Sequence, residues 1–214
     1  MLLEEYSLGA CAIVLFLYNV IALAFRKTSG LLLMLESGRL WTKKHMAGRS
    51  APDVTLAIQT LRNTVLVATF VGTLSFTVAS TTLTYSAAAE SAPARMRALL
   101  QAALLIGSFL NFALVIRCSA HAGYLIGSIT EEVPALPLSG TDPSSSAASQ
   151  KELVTLLGMQ AIHFSLGFRF MYCSIPFAFA LGGAEALIAS TCVVLFFLFY
   201  IDNALFLWGL CLKK

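Results

Sequence analysis

Asp202 is the one acid set well inside an apolar run, with Tyr200 and Ile201 before it and Leu205 and Phe206 after it. A carboxylate there must neutralise or find a cation, because Asp or Arg at the centre of a membrane helix costs on the order of 3 kcal/mol to insert. Arg62 and Arg169 are the cations expected at matching depth, and either would turn the acid into an ionic staple that fixes helix order. An ion or substrate site at the same place is the alternative reading. His121 and His163 fall near one membrane face on neighbouring helices, but two histidines without a spacing rule do not point to haem. Cys11, Cys118, Cys173, Cys192 and Cys211 form an odd set without a CxxC, so neither a disulfide framework nor a zinc site is suggested, and they read as small buried hydrophobes. There is no GxGxxG, P-loop or HExxH, and no serine or cysteine has a base and orienter spaced around it. No catalytic, cofactor-binding or metal-binding residue is therefore assigned, and the chain is expected to be no enzyme and to need no cofactor.

The elements that must hold these residues follow from composition. Of 214 residues, 58% are hydrophobic and only 12% charged, against about 25% charged in an ordinary soluble domain. Several apolar runs are long enough to cross a hydrocarbon core of about 30 Å, which predicts an all-α integral membrane protein, a single transmembrane domain over residues 1–214. Five spans are expected, at about 6–25, 58–85, 98–124, 152–182 and 186–210. Glu4 and Glu5 precede the first run where a secretory signal would carry basic residues, so it is expected to be a retained span. Residues 31–46 mix leucines with Trp41, Arg39, Lys43 and Lys44, which fits either an amphipathic helix on the membrane surface or a solvated loop. Ala-rich text at 86–97 reads as a short connection, and 128–150, with three prolines, six serines and three acids, as a flexible loop. Pro176 should kink the fourth helix and Gly182-Gly183 should end it. Whether that helix crosses fully is decided by charge. With five spans and the N-terminus outside, twelve of the fourteen Lys and Arg fall on the inner face and only Arg95 and Arg97 on the outer one, as the positive-inside rule requires.

The second span carries a pattern visible at 100° per residue. Gln59, Arg62, Thr69, Thr73, Thr77, Ser80 and Thr84 fall within one stripe about 80° wide. Such a face is expected to turn away from lipid, either packing against the third span or lining a wetted path. Gln101, Ser108, Asn111, Cys118 and Ser119 cluster on one side of the third span and offer the expected partner surface.

AIQTLRN at residues 57–63, leading into a Thr-rich helix, together with GFRFMYCSIP at 167–176 and the acid Asp202 in the closing span, resembles the uncharacterised membrane family known as domain of unknown function 599. The resemblance covers nearly the whole chain in its order of spans. It implies a bundle of about five helices and marks Gln59, Arg62, Asn63, Arg169, Tyr172 and Pro176 as candidate positions, without implying any chemistry for them.

Two function classes fit. One is a non-enzymatic accessory or scaffolding subunit of a larger membrane complex, its partners the lipid bilayer and other membrane subunits, with no nucleic acid. The other is a small oligomeric transporter or channel, against which stand the lack of internal repeats and of midplane charge. The expected setting is a bacterial inner membrane or the inner membrane of a mitochondrion or plastid.

Overall fold

The computed structural model describes residues 2–24, 35–36, 38–40, 51–131, 143–180 and 183–211. Among them, five long helices build the protein: α1 (Leu2–Ala24), α2 (Ala51–Ala88), α3 (Ala92–Glu131), α4 (Pro143–Phe179) and α5 (Ala184–Cys211). Four of these, α2 to α5, are long and apolar enough to cross a membrane, and α1 adds a shorter apolar stretch, Tyr6–Ala22. The fold is an all-α membrane bundle. Of the stretch expected to lie on the membrane surface, residues 35–36 and 38–40 are helical and the remainder lies outside the described residues.

Two expected connections are largely helix. The Ala-rich text at 86–97 continues α2 to Ala88 and opens α3 at Ala92, because alanine is the best helix former. Ser91 makes the turn: its hydroxyl accepts from the backbone N–H of Ala94 (3.4 Å), its carbonyl accepts from that of Arg95 (3.1 Å), and Arg95 Nη2 donates back to the carbonyl of Ala89 (3.1 Å). At the expected 128–150 loop, residues 128–131 close α3 and 143–150 open α4, where Pro143 suits a first helical position; residues 132–142 lie outside the described residues. Pro176 does not end α4, which runs on to Phe179 and stops through Gly183 at φ 94°, whose N–H donates to the carbonyl of Ala180 (3.1 Å).

α2 and α4 each pack chiefly on α3, α5 packs on α4, and α1 lies along α5 while touching α3 lightly. The two turns after α2 and α4 share one end of the bundle, where Arg97 Nη1 donates to the carbonyl of Ala180 (2.9 Å). The N-terminal end of α1 is at that end too, since Leu8 packs with Ala180 and Leu187 while Tyr18 reaches Asp202.

Seams with heptad-like spacing of 3, 4 or 7 residues join the helices. In α2 the buried set is Ala57, Leu61, Ala68, Gly72, Ser75, Ala79 and Ser86; in α5 it is Leu187, Thr191, Val194 and Leu198; in α1 it is Leu8, Cys11 and Leu15. The α2 set is small because apolar lipid gives no hydrophobic drive to helix association, so close backbone approach and dispersion must hold the pair. Phe112 of α3 is the central wedge, fully buried between Gly72 of α2 and Gly167 of α4 and edge-on to Phe164 and Phe168. A Cβ on Gly167 would lie 2.9 Å from the Phe112 ring, so only glycine fits here without movement.

Candidate functional site

The seams lead to a polar layer. Continuing the α1 seam by three residues reaches Tyr18, and continuing the α5 seam by four reaches Asp202, so both point into the bundle. Arg169 lies on α4, eleven residues before Ala180, about 16 Å at 1.5 Å per residue, whereas Asp202 lies eighteen residues beyond Ala184, about 27 Å. The gap closes because side chains lean toward the N-terminus of their own helix, which carries Arg169 inward and Asp202 outward on antiparallel helices.

Arg169 Nη2 donates to Asp202 Oδ1 in an ion pair whose side chains are only 10% and 13% exposed. Tyr18 Oη donates to the other carboxylate oxygen (2.9 Å), and Arg169 Nη1 donates to Asn19 Oδ1 (3.2 Å). The Asn19 amide donates in turn to Cys173 Sγ (3.2 Å) and to the carbonyl of Leu15 (2.8 Å). Charge is balanced within the layer, and each oxygen of the carboxylate has a donor, which is what keeps such a pair tolerable away from water. The layer ties α1, α4 and α5.

Of the candidate positions, the structure brings together Arg169 and Asp202. Tyr172 stands one turn along α4 and joins it to α5 through rings: it stacks on Phe168 (5.9 Å between centroids) and meets Phe197 edge-on (5.3 Å). Pro176 is buried in the same helix. Gln59, Arg62 and Asn63 are exposed on α2, which packs on α3 and not on this layer. Arg62 is thus no partner of Asp202. It lies twenty-six residues before Ala88, about 39 Å from the outer end of α2, beyond a hydrocarbon core of about 30 Å and free to meet water.

The polar stripe also stands elsewhere than expected. Thr69, Thr73, Thr77, Ser80 and Thr84 are exposed, about 140° around α2 from the seam with α3. Thr77, Ser80 and Thr84 donate to carbonyls one turn back, at 2.9, 2.9 and 3.1 Å. The hairpin is joined instead by Ser75 and Ser108, whose hydroxyls lie 3.2 Å apart, and Ser108 donates onward to the carbonyl of Gly167 (2.8 Å). Asn111 faces α4 as well: its Oδ1 lies 3.0 Å from Nδ1 of His163. His121 is exposed ten residues further along α3, about 15 Å from Asn111, so the two histidines do not converge on one ligand. Among the described residues, no three His, Cys, Asp or Glu side chains gather as a metal site. Cys11, Cys118 and Cys173 are buried as expected of small hydrophobes, Cys192 is exposed on α5, and the side chain of Cys211 lies outside the described residues.

A cleft of about 340 Å³ opens between α1, α3 and α4, with Asn19, Arg169 and Cys173 in its wall. Sequence reasoning missed Tyr18, Asn19 and Ser75 as site or seam residues, and Gln160, which is 8% exposed in α4. The signal for the first pair was present, as Tyr18-Asn19 is a polar dipeptide deep inside the first apolar run.

A family model described as a protein of unknown function, DUF599, matches residues 7–205, and the chain belongs to that family. Comparisons with curated proteins and with solved structures gave no match.

Proposed function

We propose that this member of the family is a non-enzymatic subunit of a larger membrane assembly, docked to its neighbours through the outward face of α2. The observation that carries the reading is the exposed run Thr69, Thr73, Thr77, Ser80 and Thr84. It covers sixteen residues, about 22 Å of the membrane thickness, on a helix whose own bundle contact lies on a different side. Small hydroxyl-bearing residues at helical spacing let another helix approach closely and bond across, which lipid tails cannot do. Tyr18, Asn19, Arg169 and Asp202 of α1, α4 and α5, by contrast, are turned inward onto each other.

The test is purification from the native membrane in mild detergent, with the wild-type chain and with Thr73→Leu/Thr77→Leu. The expected result is a defined larger complex that the double variant fails to enter while keeping its own thermal stability. A homo-oligomer with nothing else bound would favour the rival reading, a small oligomeric transporter, which the laterally open cleft supports. A variant that assembles like wild type would remove α2 as the docking face.

A further inference from the structure

From Val54 to Ala88, α2 carries a single ionisable charge, Arg62, and no acid of its own to set against it. Among the described residues no acid on another helix pairs with it either, since the buried pair is Arg169 with Asp202. Arg62 is exposed, as are Gln59 and Asn63 beside it, and all three stand off the seam that α2 makes with α3. Gln59 and Arg62 lie eighteen residues before Thr77 and Ser80, which is five full turns at 3.6 residues per turn. They therefore occupy the same angles about the helix axis. The outward face of α2 ends, at its inner side, in a guanidinium flanked by two amides.

Resting on the docking reading above, we infer that the chain seated on α2 is a different protein whose membrane helix bears an Asp or Glu at its inner end, paired with Arg62. Arg62 lies seven residues, about 10 Å, beyond Thr69. A helix packed along Thr69 to Thr84 at a crossing of about 20° drifts only about 4 Å sideways over that distance, which an arginine side chain spans. Charge argues against a second copy of this chain as the occupant. Two copies share the orientation that the positive-inside rule sets, so α2 packed on α2 brings Arg62 against Arg62 with no acid on either helix. A lipid phosphate would neutralise Arg62, but its acyl chains would then lie along the hydroxyl face and bond to nothing there. A partner helix suits both parts of the face: small residues admit it closely, and its carboxylate accepts from the planar guanidinium fork. At this depth, outside the hydrocarbon, water and salt screen the pair, so it fixes partner choice and register more than raw affinity.

The experiment uses the full chain in its native membrane, as Arg62→Lys, treated with a carbodiimide that joins an amine to a carboxylate in contact with it. The expected product is an amide between the new amine and an Asp or Glu at the inner end of another protein's membrane helix, placed by mass spectrometry. Arg117→Lys is the control: it is exposed on α3 at matching depth, twenty-five residues or about 37 Å from Ala92, and should not give that product. Arg62→Glu should lower recovery of the chain in the larger complex about tenfold while leaving its own melting unchanged, with Arg62→Gln in between. Should Arg62→Glu fail to insert, the crosslink alone carries the test. Coupling to a second copy, coupling only to the carboxyl of an anionic lipid, or no coupling at all would each overturn the inference. If Arg62→Glu assembles like wild type while Thr73→Leu/Thr77→Leu does not, α2 remains the docking face and the acidic partner falls. If both assemble like wild type, the docking reading falls and takes the inference with it.

Discussion

Replacing Gly167 by alanine should loosen the join between α3 and α4 even though alanine is the better helix former. The added Cβ would stand 2.9 Å from Cζ and 3.0 Å from Cε2 of Phe112, closer than real Cβ atoms approach a neighbour. The ring has little room to retreat. Its own Cβ already lies 3.2 Å from where a side chain on Gly72 would start, and Phe164 and Phe168 hold it edge-on at 5.9 and 5.2 Å. Overpacking of this kind costs about 1–3 kcal/mol and the helix-propensity gain returns about 1, so a net loss of up to about 2 kcal/mol is expected. Gly158→Ala on the same helix is the control: its nearest neighbour is Leu35 Cδ2 at 3.5 Å, an ordinary contact, and it should gain up to about 1 kcal/mol. Thermal unfolding in detergent of both variants, together with Gly167→Ala/Phe112→Leu, reads out the sign. Leucine lacks the ring edge that collides, so the double variant should recover part of the loss as a non-additive term. If both glycine variants are stabilised alike, or if Phe112→Leu rescues nothing, the wedge does not set the helix spacing.

Asp202→Asn and Arg169→Gln should each cost about 3–5 kcal/mol, and the double variant less than their sum, with coupling of about 1 kcal/mol or more in thermal stability; strict additivity would mean the pair is not a unit. Thr73→Leu/Thr77→Leu should leave the stability of the isolated chain unchanged, since both residues face away from α3, and a marked loss on melting would contradict that placement. Cysteines introduced at Ser91 and Lys151 should react with an impermeant maleimide from opposite sides of the membrane, Lys151 from the inner one, because the turn after α2 and the start of the α4 apolar stretch lie at opposite ends of the bundle. Labelling of both from one side would refute a crossing by α3.

Helix class and order were legible because apolar length is a strong signal, and the acid Asp202 with Arg169 was legible because a charge inside an apolar run demands a partner. The side of α2 that meets α3 was not, for a physical reason. Polarity singles out the Thr69 to Thr84 stripe, whereas in lipid the mark of a close interface is size. The Ala57, Ala68, Gly72, Ser75 and Ala79 series was in the text at the right spacing, and hydroxyls that bond their own helix carbonyls have no need of a partner helix. Of the two candidate partners, Arg62 falls away through depth. Its helix is 38 residues long, about 57 Å, so a residue near its start stands outside the hydrocarbon, and only the length of the helix reveals it. Tyr18 and Asn19 were missed because aromatic and amide residues are unremarkable singly; the α1 seam Leu8, Cys11, Leu15 points at Tyr18 only once α5 is known to lie beside it.

The two kinds of joint follow from what each helix can offer. α2, α3 and α4 approach through Gly72, Gly107 and Gly167, with phenylalanines seated against each glycine, so long runs of close contact supply the attraction and no charge is required. α1 cannot use that device. Among the described residues its buried seam is Leu8, Cys11 and Leu15, and it packs on α5 along a much shorter stretch. What it lacks in contact area it makes up at one layer, where Tyr18 donates to Asp202, Asn19 accepts from Arg169, and Asn19 donates to Cys173. α4 serves both joints, presenting Gly167 to α3 and, two residues later, Arg169 to α1 and α5. The α2–α3–α4 contact is therefore a fixed frame set by shape. The α1 contact is held by a few polar bonds around one ion pair, and it is the joint whose strength a change of charge would alter.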